Sequence, residues 1–440
     1  MQKKRILFYL ETAIEHILTF QPKPGIHEVC KAIGHVGWEL RRNTRTGDIE
    51  YQTIKEADWQ HFGDRERINL EADIELSCKT RQSNNNITNF MPTKDKWFNG
   101  IEYLANLTQV DPFREWLDQI KVDADGDYSP LSECFRITGL DNHDSPEINS
   151  FRDWINLYPW IAAVAKAYYP HSKAHVCLVL IGAQGIGKSS FWQMSMPAEH
   201  RHEWVTDGIQ LDGSRKEFAE SCGNAVLGEI AELTGSGSRS KREHIKQVMT
   251  SSGMNIRFSY ARSATLWQPK LVFVGTSNSK APLPADPTGN RRFIALKVAK
   301  HELMKTNLQQ VQYLADFWDY NREKIWANAC VEVHKAHKAG YLNQLLSVPP
   351  DLEHIQRIFN KKATPETDAR VRTRRYVFKH NDLPEIEIVD IWAASITASG
   401  FDQTGPIPSY VQQDIEQGLY DMRRVPIELA DGRIVWMAEE

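Results

Sequence analysis

The sequence predicts an α/β fold in which a parallel sheet carries a phosphate-binding loop. Three apolar runs have the length of buried strands, Val176–Ile181, Ala225–Ile230 and Leu271–Thr276. Helical patterns alternate with these runs over residues 172–300, as they do in a parallel α/β core. The first run is followed by the glycine-rich segment Gly182–Ser189, after which Ser190–Met194 can open a helix. This strand–loop–helix order is the context that a phosphate-binding Walker A loop requires, so we predict that the motif is genuine.

The glycine-rich segment predicts binding of ATP and Mg²⁺. Glycines allow backbone N–H groups to surround phosphate oxygens, and the following helix adds a favourable dipole. Lys188 would neutralise the β- and γ-phosphates, and Ser189 would hold the metal. The predicted cofactor-binding residues are Gly182, Gln184, Gly185, Ile186, Gly187, Lys188, Ser189 and Ser190. A glycine-rich turn without a ligand is the competing interpretation.

Hydrolysis needs an acid for the metal and a group that aligns water, and both are expected after the second strand. Glu229 stands at the end of that run, where a Walker B carboxylate would face Mg²⁺ together with Ser189. Glu232, three residues later, is the candidate for orienting or activating water. The competing hypothesis is that both are acids favoured at a helix start. The spacing from Lys188 leaves room for one helix and a loop, which favours the catalytic role.

Asn278, at the end of the third strand, can bridge the γ-phosphate and the attacking water. An asparagine favoured only by a turn is the alternative. Arg291 and Arg292 follow in the chain, and their adjacent side chains point in different directions. At a subunit edge, one of them would complete the site of a neighbouring copy as an arginine finger. A surface salt-bridge pair is the competing interpretation.

A segment between the second and third strands predicts contact with nucleic acid. Arg257, Tyr260 and Arg262 would lie at the tip of a hairpin, where guanidinium groups meet phosphates and the ring stacks on a base. Lys246, on a preceding helix, would add positive charge. An edge hairpin with ordinary cross-strand pairs, and a solvated charged helix face, are the alternatives.

Composition narrows the classes of protein that fit. The formal charge of the 440 residues is −4, which excludes a uniformly basic nucleic-acid coat but allows a local basic path. Six cysteines without a Cys-x-x-Cys pair predict a reducing cytosol, with neither disulfides nor a zinc site. No apolar stretch approaches the ~20 residues of a membrane span. We therefore expect a cytoplasmic protein with no membrane partner.

The pattern along the chain predicts five regions. They are an N-terminal accessory region 1–95, a helical lead-in 96–170, a P-loop ATPase core 171–345, a charged linker 346–384 and a winged-helix-like module 385–440. In the last region, two helical patterns precede two short strands joined by Asp431-Gly432, a good hairpin turn. Because such modules also serve for protein packing, both DNA contact and packing remain open for it.

Several of these motifs, in this order, resemble the virulence-associated protein E family. The segments that carry the resemblance are Gly182–Phe191, Gly228–Leu233, Lys246, Arg257, Tyr260, Arg262, Val274–Asn278 and Pro287–Phe293, with Asp111–Leu117 as a lead-in. The resemblance covers roughly residues 95–345. It implies an AAA+-class P-loop ATPase of a phage, plasmid or genomic island, similar to superfamily 3 replicative helicases.

The resemblance also implies roles for single residues. It assigns Lys188 and Ser189 to the nucleotide, Glu229 to Mg²⁺, and Asn278 to sensor 1. Arg291 or Arg292 would be the finger, and the hairpin around Arg257–Arg262 would line the pore of a ring. Two departures stand out, because the second strand lacks an adjacent acidic pair and residues 1–95 are too short for a fused primase. A separate primase is therefore expected.

The function expected from these observations is an ATP-driven DNA helicase or translocase in a bacterial host cytoplasm. It would work as a homo-oligomeric ring, a hexamer, with single-stranded DNA in the central pore. A second hypothesis is an initiator that binds double-stranded origin DNA, or a helicase loader. A third is a nucleotide-gated regulatory or defence ATPase that does not unwind DNA.

Overall fold

The protein consists of two compact units, Met1–Lys121 and Val122–Glu440. The structure is a computed structural model. It describes residues 25–54, 56–80, 92–120, 129–140, 145–207, 215–231, 249, 253–257, 264–283, 290–364, 368–380, 383, 385–399, 407, 409–429, 431 and 433–438.

The N-terminal unit combines a four-stranded sheet with four helices in its described part. In chain order the elements are α1 (Ile26–His35), β1 (Trp38–Asn43), β2 (Ile49–Thr53), β3 (Glu56–His61), α2 (Asp64–Thr80), α3 (Lys94–Leu107), β4 (Gln109–Val110) and α4 (Pro112–Gln119). The sheet order is β3-β2-β1-β4. Strands β1, β2 and β3 form an antiparallel meander, and β4 pairs with β1 in parallel.

Helix α3 belongs to the core of this unit rather than opening a lead-in to the second one. Trp97, Ile101 and Ala105 of α3 are buried in one cluster with side chains of α1 and the sheet. The domain boundary that we predicted at residue 95 therefore lies within one packed body. Leu107, the last residue of α3, is 63% exposed.

The second unit contains the described remainder of the chain, in which a six-stranded mixed sheet is surrounded by helices. Its first elements are α5 (Pro130–Cys134), β5 (Phe135–Ile137), α6 (Pro146–Tyr168), β6 (Cys177–Ile181), α7 (Lys188–Met194), α8 (Arg201–Trp204), β7 (Val205–Thr206), α9 (Arg215–Cys222) and β8 (Leu227–Ala231). They are followed by β9 (Met254–Ile256), β10 (Thr265–Trp267), β11 (Val272–Ser277), β12 (Phe293–Lys300), α10 (Asn307–Lys338) and α11 (Leu342–Leu345). After a 3₁₀ turn at Pro350–Leu352 come α12 (Glu353–Ala363), α13 (Asp368–Lys379), β13 (Glu385–Ile386), α14 (Ile388–Ser399), α15 (Ser409–Asp421), β14 (Arg424–Glu428) and β15 (Ile434–Ala438).

The six strands follow the order β5-β12-β6-β11-β8-β7. The five strands from β12 to β7 are parallel, and only β5, on the edge beside β12, is antiparallel. The expected α/β class is confirmed, and the three predicted strands β6, β11 and β8 are neighbours at its centre. All five residues of β6 are buried, as expected for a strand covered on both faces.

Aromatic side chains fix the helix that follows β6. Phe191 and Trp192 of α7 are fully buried. Their ring centroids lie 6.1 Å and 6.0 Å, respectively, from the ring centroid of Trp160 on α6. Trp318 and Trp326 of α10 pack on the same Trp160 ring. Helices α6, α7 and α10 therefore form one packed layer, which holds the start of α7 in place.

Residues 346–384, which we predicted as a charged linker, instead contain helices α12 and α13. Helix α12 is tied to the start of β12, where Gln356 Nε2 donates to the Phe293 carbonyl at 2.8 Å and Asn360 Nδ2 donates to it at 2.7 Å. Helix α13 packs with the last module through Val377, which is 2% exposed. Polar side chains that bond to backbone carbonyls explain why this segment is ordered despite its charge.

The C-terminal module places helices α13, α14 and α15 on a three-stranded antiparallel sheet of order β13-β15-β14. Strands β14 and β15 form the predicted hairpin, and β13 is a strand that we did not predict. Of the helices within the described ranges, none combines the length and the apolar character needed to cross a bilayer.

Candidate nucleotide site

The glycine-rich loop connects the end of β6 to the start of α7. Strand β6 ends at Ile181 and helix α7 begins at Lys188, so Gly182–Gly187 form the whole connection. Ala183, Gln184 and Gly185 are exposed, whereas the side chains of Ile186 and Lys188 are buried. The loop thus presents its outer turn to solvent at the carboxyl edge of the parallel strands, where ligands of open α/β sheets bind.

Two glycines give this loop its shape. Gly185 and Gly187 have φ angles of +80° and +85°, in the left-handed region that side chains with a Cβ rarely adopt. A Cβ on Gly187 would also lie 2.5 Å from Leu314 Cδ1 of helix α10. The close approach of α10 and the backbone geometry therefore both require glycine here.

Lys188 is held at the base of the loop. Its side chain is only 7% exposed, and its Nζ donates to the carbonyl oxygens of Gly182 at 3.0 Å and Ala183 at 2.8 Å. A third bond goes to Asn278 Oδ1 at 2.9 Å. Burial lowers the pKa of Lys188 from its ordinary 10.5, and the negative charge of Glu229 partly opposes this shift. The cation is thus desolvated and bound only to neutral oxygens among the described residues.

Glu229 lies on β8 with its carboxylate buried. It is 1% exposed, and its Oε1 accepts from the Ser189 hydroxyl at 2.6 Å and from the hydroxyl of Thr276 on β11. Its Oε2 is also buried and has no hydrogen-bond partner within the described part of the chain. We had placed Glu229 at the end of its strand, but β8 continues to Ala231, so this carboxylate lies two residues before the end.

The residues at this edge fit a triphosphate and Mg²⁺. A buried carboxylate oxygen without a partner is costly in a fold, so its presence indicates a ligand that supplies the missing interaction. Carboxylate and hydroxyl oxygens, as in Glu229 and Ser189, are the donors that Mg²⁺ prefers. The exposed left-handed loop and the Lys188 ammonium supply the backbone donors and the cation that phosphate groups need.

Four predicted residues therefore meet at one point. Lys188 and Ser189 at the start of α7, Glu229 on β8 and Asn278 directly after β11 are joined by hydrogen bonds. Strand pairing explains this, because β11 lies between β6 and β8 in parallel register.

Arg291 and Arg292 do not join this group within one chain. Arg292 precedes β12, whose first residue Phe293 pairs with Cys177, the first residue of β6. The phosphate-binding loop leaves the opposite end of β6, so Arg292 lies roughly 15–20 Å away along the strand direction. This is farther than an arginine side chain reaches, so either arginine could contact only the site of another copy.

The surroundings of Arg292 are positively charged. Burial lowers the pKa of His175 to about 4, and the charges of Lys166 and Arg292 act in the same direction. Lys166 is itself 6% exposed, and burial lowers its pKa. Lys166 and Arg292 therefore both lie close enough to His175 to affect its pKa.

The predicted nucleic-acid residues are described only in part. Strands β9 and β10 pair in antiparallel fashion, and Arg257 follows β9 directly and is exposed. Tyr260, Arg262 and Lys246 lie outside the described residues, as does Glu232. Their roles stay predictions.

Two residues at the site were missed by sequence reasoning. Thr276 contacts Glu229. It lies two residues before Asn278, near the end of a mostly apolar strand, and this position could have indicated a contact with the site. Asn307, the first residue of α10, donates from its Nδ2 to the Gln184 carbonyl at 3.3 Å. The Thr306–Gln309 capping box could have located that helix start, but no local pattern indicates its contact with the loop.

Comparison with known proteins identifies the central part of the chain. Residues 142–353 match the model of the virulence-associated protein E-like domain. Over these residues the chain is similar to a virulence-associated protein E-like domain. The match contains the phosphate-binding loop, Glu229, Asn278 and both arginines, and it confirms the resemblance predicted from the motifs. It begins later than the range of roughly 95–345 that we expected.

Two of the solved structures that match the chain are forms of one protein region. The apo structure of the NrS-1 C-terminal region, residues 305–718, aligns with a TM-score of 0.43 at 12% identity and covers 95% of this chain and 100% of that chain. The A form of the same region aligns with a TM-score of 0.43 at 12% identity and covers 96% of this chain and 100% of that chain. No curated protein sequence matches the chain.

Proposed function

We propose that the protein is an ATP-hydrolysing, ring-forming DNA helicase or translocase that serves the replication of a phage, plasmid or genomic island. One observation supports the ATPase above all others. Lys188, Ser189, Glu229 and Asn278 come from three neighbouring parallel strands and their loops and meet at the carboxyl edge of the sheet. A P-loop ATPase core of the AAA+ class is the fold that this arrangement favours.

Each of these side chains has a task that its environment permits. Lys188 would exchange its bonds to loop carbonyls for phosphate oxygens, which a desolvated cation binds strongly. Ser189 and Glu229 would hold Mg²⁺, which neutralises phosphate charge when it is bound. Asn278, now bonded to Lys188, would orient the attacking water. Glu232, next along the chain after β8, stays the candidate for activating that water.

The placement of the arginines supports oligomerisation. The cation that hydrolysis needs in the transition state is expected from Arg291 or Arg292, which lie at the opposite edge of the sheet from their own loop. A neighbouring copy would therefore complete each site, and a closed ring, a hexamer, satisfies this demand for every copy. The hairpin with Arg257, Tyr260 and Arg262 would then face single-stranded DNA in the pore.

The direct test is ATP hydrolysis by the full chain with and without single- and double-stranded DNA, combined with the mass of the assembled particle. We expect Mg²⁺-dependent hydrolysis by an oligomer, and stimulation by single-stranded DNA. Hydrolysis no faster than in Lys188→Ala would reject the ATPase. Hydrolysis that DNA does not change, without strand separation, would instead identify a nucleotide-gated regulatory ATPase.

Mixed oligomers test the shared site. The substitutions damage different halves of one proposed interface. Lys188→Ala damages the half with the phosphate-binding loop, and Arg291→Ala or Arg292→Ala damages the half with the arginines. Mixing Lys188→Ala with the arginine variant that is inactive should restore part of the hydrolysis, because some interfaces then carry both intact halves. A mixture of Lys188→Ala with Ser189→Ala, which damages the same half twice, is the matched control and should stay inactive.

A further inference from the structure

Helix α13 has two faces of different character. Thr373 and Val377 are buried against the rest of the C-terminal module, at the spacing of one helix face. Arg375, Phe378 and Lys379 are exposed and share the other face at i, i+3 and i+4. Phe378 is 83% exposed, and Arg374, beside these residues, is exposed as well.

The charge of this helix contrasts with that of its neighbour. Helix α13 carries five basic residues and one acidic residue. Helix α15, which precedes the β14–β15 hairpin, carries Asp414, Glu416 and Asp421 and contains neither lysine nor arginine. The exposed Arg433 between the two strands pairs with Glu387 and Asp431. Helix α13 therefore offers a polyanion more positive charge than α15 or the hairpin does.

The exposed ring of Phe378 beside cations distinguishes this face from a solvated face that carries charge alone. Within the described residues, no acidic side chain pairs with Arg375 or Lys379. Phe378, 83% exposed beside these two cations, offers apolar surface whose removal from water by a ligand is favourable. Aromatic rings beside cations are the combination that binds single strands, because bases stack on the ring while the cations meet phosphates.

We propose that the outer face of α13, formed by Arg375, Phe378 and Lys379, is a second binding surface for single-stranded nucleic acid. It is distinct from the hairpin around Arg257 and needs no ATP. In this arrangement Phe378 stacks on an unpaired base, and the two cations contact the phosphates on either side of it. The module would thereby hold a strand outside the proposed pore.

Fluorescence anisotropy of the full chain with labelled oligothymidine, in the absence of nucleotide, tests the proposal. Phe378→Ala should weaken binding about 5- to 100-fold, the range that loss of one base–aromatic stack gives. Phe378→Trp should retain the affinity. Arg375→Ala and Lys379→Ala should each reduce the slope of log affinity against log salt by about 0.7. Measuring every variant in both the wild-type and the Arg257→Ala chain separates this surface from the hairpin.

Two matched controls carry the same chemical changes elsewhere. Tyr320 is an exposed aromatic residue on α10, and Arg357 is an exposed arginine on α12. Tyr320→Ala and Arg357→Ala should leave oligothymidine affinity unchanged.

Three results would overturn the proposal. The first is wild-type affinity in Phe378→Ala, Arg375→Ala and Lys379→Ala in both backgrounds. The second is tighter binding of a duplex of the same length, with no effect of Phe378→Ala. The third is that polyglutamate displaces the labelled DNA as well as unlabelled oligothymidine does, while Phe378→Ala keeps its DNA affinity. This result would identify an acidic polypeptide as the occupant. Because binding is measured without ATP, these results do not depend on whether the protein hydrolyses it.

Discussion

Buried charge is handled differently in the two units of the molecule. In the N-terminal unit, the Arg45 and Asp111 side chains are 1% and 5% exposed, and Arg45 Nε donates to Asp111 Oδ1 at 2.7 Å. In the second unit, Lys188 and Glu229 are buried as well, but neither forms an ion pair with a described residue. Lys188 bonds to neutral oxygens, and Glu229 keeps one oxygen without a partner.

The difference separates charges that are neutralised within the fold from charges that a ligand would complete. An ion pair with good geometry offsets much of its own desolvation, so the charges of Arg45 and Asp111 neutralise each other within the fold. Lys188 and Glu229 form no direct ion pair, and the charge of Glu229 only partly opposes the effect of burial on Lys188. Fixed, incompletely paired groups of this kind are typical of binding sites, where the ligand supplies the remaining interactions.

The largest expected effect is on the paired charges. Asp111→Ala should destabilise the N-terminal unit by about 3–5 kcal/mol, because it leaves the Arg45 guanidinium buried without its partner. It also removes the cap of α4, where Asp111 Oδ1 accepts from Arg114 N–H. Hydrogen exchange of β1 in the full chain, followed by mass spectrometry, measures this loss, and ATP hydrolysis serves as the second readout.

Asp118 on the same helix provides the control, because its side chain is 58% exposed and lies 3.9 Å from Arg114. Asp118→Ala should change the protection of β1 by less than about 1 kcal/mol. Equal effects of the two substitutions would show that the buried pair is not special. A large loss of hydrolysis in Asp111→Ala with unchanged protection would contradict its structural role.

Lys188→Ala should show the opposite profile. Hydrolysis should fall by at least about 100-fold, since the variant loses the main cation on the phosphates. The free energy of unfolding should change much less than in Asp111→Ala, because no buried ion pair is broken. Steady-state hydrolysis and denaturant unfolding measure the two effects, with the exposed Lys338→Ala as control. Near wild-type hydrolysis in Lys188→Ala would refute the site.

Thr276→Val tests how Glu229 is held and should have a smaller effect. The substitution keeps the shape of the side chain but removes the hydroxyl that donates to Glu229 Oε1. The Mg²⁺ concentration for half-maximal hydrolysis should rise about 10- to 100-fold, as is usual when a residue that orients a metal ligand is lost. Thr276→Ser should restore most of it. An unchanged Mg²⁺ dependence in Thr276→Val would show that Ser189 alone positions the carboxylate.

The comparison also explains what the sequence could and could not predict. Strands β6, β8 and β11 were predictable because each is an apolar run. Each also contains or precedes a residue with an expected role at the phosphate site, namely Lys188, Glu229 or Asn278. Strand β12 was missed because exposed Lys297 interrupts an otherwise buried run, and the two-residue β7 is too short to show a pattern.

At the site, motifs and their spacing identified the residues whose side chains have a recognisable chemical role. They did not identify residues that reach the site only through the packing of the fold. Lys188, Ser189, Glu229 and Asn278 could be named from motif and strand order. The hydrogen bond from Thr276 to Glu229 depends on the register of β11 with β8. The hydrogen bond from Asn307 to the Gln184 carbonyl depends on how α10 packs over the loop. Register and helix packing come from the whole fold, so no local pattern carries them.

The smallest expected effect is the pH dependence that the buried lysine gives to stability. The pKa of Lys188 in the folded chain is below its ordinary 10.5, chiefly because of burial. Between the two pKa values the unfolded chain binds more protons than the folded one, so the free energy of unfolding rises with pH across this window.

Lys188→Met removes this titration, and its stability should rise less than that of the wild type as pH increases from neutral towards 10.5. Denaturant unfolding of both proteins over this range measures the difference, in which the titration of Lys166 and other shared groups cancels. Parallel curves would mean that the Lys188 amine titrates as it does in the unfolded chain. Arg45 gives no such response, because a guanidinium stays charged throughout.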